Sequence, residues 1–355
     1  MKKYFPILLL LLLANCKQNK STENTVEKTR KETAPTAELV AEFNGQQVTG
    51  VTVSEEGQIF ANFPRWREGV KYSVVEVNNS NTKPYPNEKW NSWKLGDALQ
   101  DSVFVAVQSV VAFKDRLYVL DTRNPLFQGV QGAPRVYVFN LNNDALDNIY
   151  IFNEEGFHPD SYINDLRIDG ETNRIYFTDS GHAGLVVLNL ETGKTHRVLD
   201  NHYSTLAETD SLSIDGKTWK NRVHSDGIAL DTENNLLYYH ALTGYTLYTV
   251  PTRVLSYGTA SEVEKSVLKV KETPAPDGMI FDQQGNLYLA DLERHKIMRL
   301  DPEGNLSVLI EGEKVSWADT FSIYNNELYY TNSKIHLAKA DVSELSFSVY
   351  KILIE

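Results

Sequence analysis

An internal repeat constrains the fold of this chain more than any other feature. Six segments align: VTGVTVSEEGQIFANF, VQSVVAFKDRLYVLDT, INDLRIDGETNRIYFTDS, HSDGIALDTENNLLYYHA, APDGMIFDQQGNLYLAD and WADTFSIYNNELYYTNS. Each contains a small or acidic residue, a short apolar strand, a turn of Asp, Glu, Asn and Gly, and a second strand in which Leu or Ile precedes Tyr or Phe. Third strands such as VYVFNL and LVVLNL follow four of the copies. The anchors Thr49, Ser109, Asp165, Asp226, Asp277 and Asp319 are 60, 56, 61, 51 and 42 positions apart, a spacing that suits four-stranded units with loops of variable length. Such a unit cannot bury its faces alone and has to stack on its neighbours. No segment keeps the 3.6-residue period of a long helix, while turn signals recur throughout. The expected fold is all-β, a six-bladed β-propeller over residues 38–355, whose radial repetition leaves few exposed sheet edges. ELVAEF near residue 38 and FSVYKILI near the C-terminus both read as strands, so either can close the ring.

In a propeller the start of each innermost strand and the loop from second to third strand emerge on one face, around the central channel. The polar and unusual residues fall on these segments. Strand starts supply Thr49, Gln108, Asn164, Asp165, His224, Asp226, Asp277 and Asp319; the loops supply Arg65, Trp66, His182 and Asn332. All except Thr49 are candidate ligand-binding or catalytic residues. In NFPRWREG, Trp66 is either a stacking surface for a ligand or a plug between blades one and two, since Trp and Arg commonly pack together. The expectation is a plug for the indole and a place on the pocket rim for Arg65, paired with a carboxylate in two-pronged fashion.

The segment before the repeats has a different character. Residues 1–15 read as an export signal, with a basic head of Lys2 and Lys3 and a leucine run too short to span a bilayer stably. Cys16, the only cysteine, stands where a bacterial lipoprotein signal places the residue that becomes lipidated; a plain secretory signal is the alternative. Residues 16–37 are polar, without apolar period or aromatic residue, and read as a disordered tether. The expected location is therefore the bacterial cell envelope, with the membrane engaged only through an N-terminal lipid anchor. Residues 1–37 carry seven Lys or Arg against three Glu, so with −12 overall the remaining residues carry −16. So acidic a body argues against nucleic acid as a partner, because phosphate neutralisation supplies most of that affinity.

The chain resembles the yellow and major royal jelly proteins. NFPRWREGVKYSVVEV, KPYPNEKWN, LYVLDTRN, FTDSGHAGLVVLNLETGKTHRVLD and GIALDTENNLLYYHALTGYTLYTVPTRVL follow that family's segments in order. The resemblance implies an exported six-bladed propeller with a small-molecule pocket on the channel axis, in a family associated with dopachrome conversion and with binding of aromatic amines. APDGMIFDQQGNLYLADLERHKIMRLDP is also similar, more distantly, to the metal-binding blade of the gluconolactonase and regucalcin family. Carried over position by position, that similarity implies a divalent cation such as calcium on Asp277, Asp226 and Asn164, with Thr49 where the family has a glutamate. Two carboxylates plus carbonyl and water oxygens can hold calcium weakly. The alternative is that Asp-Gly at a strand start is ordinary turn chemistry, the carboxylate accepting from backbone amides.

No nucleophile elbow, HExxH, phosphate loop or cysteine pair is present. Isomerisation or lactone hydrolysis would need a base near neutral pH and a group to stabilise an enolate or oxyanion. Asp226 beside Asp277, one of them raised by like-charge repulsion, is the candidate, with His224 as the other base. Two functions of different class remain: an isomerase or hydrolase of a small molecule, and a non-catalytic pocket for an aromatic or cationic ligand, which the acidic body and 19 tyrosines favour.

Overall fold

A computed structural model describes Met1, residues 35–78 and residues 81–354. The export-signal, Cys16 and tether readings lie outside these residues, apart from Met1 and the last few positions of the tether. Six four-stranded antiparallel sheets form the blades of a propeller. Blade one runs Gly50–Val53, Ile59–Asn62, Val74–Asn78, Asn81–Pro84, and blade three Ile163–Asp169, Arg174–Asp179, Gly184–Asn189, Thr195–Val198. Blade six takes three strands from the C-terminal end, Ala318–Tyr324, Glu327–Asn332 and Ser346–Leu353, and its outermost strand, Glu38–Asn44, from the N-terminal end. Both segments that read as closing strands are thus used, and they pair with each other.

Burial explains the residue pattern. The second strand of blade three, RIYFTD, is buried at every position, because each sheet is covered on both faces by its neighbours. The fourth strand of blade two, ALDNIYI, is largely exposed, as befits an outer edge. Aromatic side chains fill the wedges between blades: Phe60, Tyr85, Phe104, Tyr137 and Phe139 share one buried cluster between blades one and two, and Trp90 packs edge-on against Tyr137 and Phe139.

Two local devices aim residues at the channel. First, the pairing register of the innermost strand slips near its start in four blades, between Val107 and Ser109, Ile163 and Leu166, Ser225 and Ile228, and Ala318 and Phe321. Such bulges re-aim side chains, and the residues skipped are Gln108, Asn164 and Asp165, Asp226 and Gly227, Asp319 and Thr320. Second, glycine follows aspartate where inner strands crowd. A Cβ on Gly227 would lie 2.8 Å from the Asp277 carbonyl oxygen, and one on Gly278 2.6 Å from that of Asp319. The Asp-Gly pairs therefore serve close approach of neighbouring blades, and turn capping does not account for them.

Besides two short helices, Thr252–Tyr257 and Ala260–Ser266, within blade four's last connection, a hairpin stands outside the blade sheets. Between blades three and four this hairpin, Ser211–Ile214 paired with Lys217–Lys220, forms its own two-stranded sheet. The repeat pattern does not predict it. Among the described residues no helix is long and apolar enough to cross a membrane.

Candidate functional site at the channel mouth

A cavity of about 730 Å³ opens at the mouth of the channel. Its floor carries Asp226, Asp277 and Asp319, one from each of blades four, five and six. Trp66, Phe127 and Tyr162 form one wall, Trp219 and Trp317 line another side, and Arg67, Arg222 and Lys339 stand at the outer edge. Trp66 and Phe127 are stacked with ring centroids 5.9 Å apart, and Phe127 and Tyr162 are 4.9 Å apart.

A directional hydrogen-bond chain links wall to floor. The Trp66 indole N–H donates to the Tyr162 hydroxyl, Tyr162 donates to Gln108 Oε1 at 2.7 Å, and Gln108 Nε2 donates to Asn164 Oδ1 at 2.7 Å. Asn164 Nδ2 in turn reaches Ser180 Oγ at 3.3 Å. Each donor is thereby assigned, and the amide of Asn164 is oriented with its N–H groups on the side of the carboxylates, where it also bonds Asp226.

The floor is electrostatically costly. Burial raises the pKa of Asp226 well above the ordinary carboxylate range, and the neighbouring Asp277 and Asp165 carboxylates raise it further. Asp319 is raised by burial and by Asp277 and Asp226. Asp277 is pushed up to about 7 by burial, moderated by a hydrogen bond from Trp317 Nε1 to its Oδ2 at 2.6 Å. Asp226 and Asp277 lie within hydrogen-bonding reach of one another, so their titrations are linked and both are shifted upward. Asp319 Oδ2 is buried with no partner. Three carboxylates against one indole donor, one amide and the Thr320 hydroxyl, 3.4 Å from Asp319 Oδ1, leave the floor without a single positively charged partner among the described residues.

Of the residues expected at the site, Trp66, Gln108, Asn164, Asp226, Asp277 and Asp319 come together here. Five do not. Arg65 is buried at 4% exposure, with Nε donating to the Val105 carbonyl at 2.8 Å and its guanidinium over the Trp93 ring. It holds the loop from beneath, while the half-buried Trp66 next to it faces the cavity, so the two roles are the reverse of those expected. Asp165 accepts from Ser109 Oγ at 2.7 Å and pairs with Arg167 at 3.0 Å, and does not line the cavity. His224 uses Nδ1 to accept the Ala207 N–H at 3.0 Å, and burial, then Arg222, lowers its pKa. His182 lies beside the mouth, paired with Asp160 at 3.1 Å, its ring tilted 35° to that of His158 with centroids 3.9 Å apart. Asn332 accepts the Trp317 backbone N–H at 3.0 Å and donates to the Glu313 carbonyl.

The last case has a general cause. The final residue of a blade's second strand ties down the entry to its first: Asp121 accepts the Val105 and Ala106 N–H groups, and Asp179 accepts that of Tyr162. Asn332 does the same in blade six. A repeated polar residue at this position is thus a backbone clamp. The residues that sequence reasoning missed are Tyr162, Phe127, Trp219 and Trp317, all aromatic and outside the polar strand starts; Trp219 sits on the hairpin, which has no counterpart in the repeat.

A family model described as "Major royal jelly protein" matches residues 105–353. Among curated proteins, Major royal jelly protein 3 of Apis mellifera is 26% identical over 217 residues, covering 54% of this chain and 39% of that protein. Major royal jelly protein 7 of Apis mellifera is 25% identical over 180 residues, 48% of this chain and 39% of that protein. The matches thus span less than half the length of these relatives. Among solved structures, a luciferin-regenerating enzyme superposes with a TM-score of 0.57 at 14% identity, over 90% of this chain and 95% of that one. A gluconolactonase from Xanthomonas campestris gives 0.54 at 11% identity, over 90% of each chain. These likenesses concern the propeller fold.

Proposed function

Because the chain belongs to the major royal jelly protein family and its channel mouth sets an aromatic wall over a cluster of buried carboxylates, we propose that it captures a small aromatic amine. The observation that carries this reading is the pairing of Trp66, Phe127 and Tyr162 with Asp226, Asp277 and Asp319 around one cavity. An ammonium group meets the unmet negative demand of the floor, and the ring lies against the indole and phenyl faces, an arrangement worth about 0.5–2 kcal/mol beyond area burial. Charge reverses at the outer edge, where Arg67, Arg222 and Lys339 favour a ligand whose far end is polar or anionic.

The test is calorimetric titration of the full chain with tyramine, 4-ethylphenol and 4-hydroxyphenylacetate. Tyramine binding that tightens between pH 5.5 and 8, with little binding of the neutral and anionic analogues, supports the proposal. Equal affinity for all three refutes it. Asp226 and Asp277, both shifted upward by burial, would also supply a base for isomerising a bound ligand, which turnover of a cyclic aromatic substrate would reveal.

A second reading assigns the same floor to a divalent cation such as calcium, and the unpartnered Oδ2 of Asp319 favours it. Asp226, Asp277 and Asp319 would hold the ion; Asn164 Oδ1 is engaged by Gln108 and Thr49 Oγ1 by Asn62. Such an ion would polarise a carbonyl oxygen as a Lewis acid. A rise in melting temperature with millimolar calcium, abolished by Asp277→Asn, would select this reading.

For location we propose the cell envelope, with Cys16 as the anchored residue. Loss of the membrane-bound fraction in Cys16→Ala is the expected outcome, and an unchanged fraction removes the anchor.

A further inference from the structure

The tip of the extra hairpin meets two histidines from separate blades. Asp215 and Gly216 form the two-residue turn, with φ of 52° and 69°, the left-handed pair that a tight hairpin requires. Asp215 Oδ1 lies 2.7 Å from Nε2 of His295, in the loop after the second strand of blade five. Its Oδ2 lies 3.7 Å from Nε2 of His336, in the corresponding loop of blade six. One ligand atom from each of the three side chains falls within 4.8 Å of the other two.

One nitrogen of His295 is assigned by its partner. Nδ1 lies 2.8 Å from the Ser316 carbonyl oxygen, which only accepts, so Nδ1 carries the proton and a neutral ring presents its Nε2 lone pair to Asp215. Lone pair against carboxylate is repulsive unless a proton or a cation lies between. The His336 side chain is 5% exposed and its Nδ1 is buried without a partner. The ring is held by stacking on Trp317, with centroids 5.7 Å apart and planes 12° apart, and its Nε2, which faces Asp215, has Ser316 Oγ at 3.5 Å as its hydrogen-bonding neighbour. Two imidazoles and one carboxylate, one imidazole oriented by a backbone carbonyl behind it, are the donor set of open zinc-type sites.

We propose that Asp215, His295 and His336 bind a divalent transition-metal ion of the zinc class, which pins the 211–220 hairpin across the channel mouth. Oxygen-preferring ions are disfavoured by the two nitrogen donors. Pinning matters because the hairpin carries Trp219 to the cavity lining and runs directly into Asn221, Arg222 and Val223, which also line it. Trp219 packs edge-on against Trp317 at 5.0 Å, and Trp317 bonds Asp277. The metal would thus fix both a wall and a floor contact of the pocket. This consequence for ligand entry rests on the proposed pocket function, whereas the metal site itself does not.

A second cluster, His158, His182 and Asp200, has similar ligand spacing. There Arg197 is in direct ion-pair contact with Asp200 at 2.6 Å and occupies the carboxylate, whereas Lys217 and Lys334 act on the first cluster only from a distance; the second cluster serves as an internal control.

The test is a cobalt(II) titration of the metal-stripped full chain, read by visible ligand-field absorption, without any organic ligand. One equivalent per chain is expected, displaced by zinc, lost in both Asp215→Asn and His295→Gln, and retained in His158→Gln. Asparagine tolerates the left-handed turn position, so Asp215→Asn preserves the fold, with near-ultraviolet circular dichroism as the check. Amide exchange over 211–220 should slow at least fivefold on adding zinc to the wild type and not in Asp215→Asn. Absence of saturable cobalt binding overturns the proposal. So does binding that survives Asp215→Asn and His295→Gln, or that disappears in His158→Gln. Exchange over 211–220 that zinc leaves unchanged overturns the pinning.

Discussion

Trp317 donates its indole N–H to Asp277 Oδ2 at 2.6 Å while itself buried at 0% exposure. A donor of this kind stabilises the ionised carboxylate, yet burial still pushes Asp277 up to about 7. Asp277 is thus poised between the cost of burying its charge and the contact arranged to offset that cost.

This balance makes stability depend on pH with a definite sign. A carboxyl whose folded pKa is raised contributes stability that is fully present below its ordinary value of 3.8 and is lost as pH rises through about 7. Asp277→Asn keeps an acceptor for Trp317 and cannot ionise. It should be as stable as the wild type near pH 4 and more stable by about 2–4 kcal/mol at pH 8, at 1.36 kcal/mol per pKa unit. Denaturant titrations at the two pH values check this, and an identical difference at both would contradict it.

Trp66→Ala should weaken amine binding by about 1–2 kcal/mol, because its indole faces the cavity and stacks on Phe127. Its N–H donates to Tyr162, so the variant also frees that hydroxyl. The stability loss should stay below the roughly 3–5 kcal/mol of a core aromatic truncation. A larger loss would make the indole a plug between blades.

Arg65→Met should show the opposite profile. The guanidinium is buried, bonded to the Val105 carbonyl and over Trp93, and its loss leaves a buried carbonyl without its donor and Asp121 without its neighbouring charge. A destabilisation of about 2–4 kcal/mol with unchanged tyramine affinity is expected. Weakened binding at unchanged stability would return Arg65 to the pocket.

Gly278→Ala tests how the floor is assembled. Its Cβ would meet the Asp319 carbonyl oxygen at 2.6 Å, so blades five and six would have to separate at the mouth. We expect a melting temperature lowered by several degrees and loss of amine binding, measured by differential scanning fluorimetry and calorimetry. Unchanged values for both would show that the blades yield freely.

The repeat alone determined the six-bladed architecture, because the alternation of strand and turn at intervals of 42 to 61 residues admits no fold with long helices and requires each unit to stack on the next. It also brought Gln108, Asn164, Asp226, Asp277 and Asp319 to one end of the channel, since strand starts in a propeller converge by symmetry. What it did not determine was direction. Arg65 and Trp66 are adjacent and differ only in which way a loop turns, and Asn332, Asp121 and Asp179 look like site residues until their carboxylate or amide is seen tying its own strand entry. The bulges that aim Gln108 and Asp226 at the axis, and the hairpin that carries Trp219 over it, depend on contacts between blades far apart in sequence. Local sequence sets which elements form. Which polar groups are satisfied within a blade, and which are left facing the cavity, was decided only when all six blades closed.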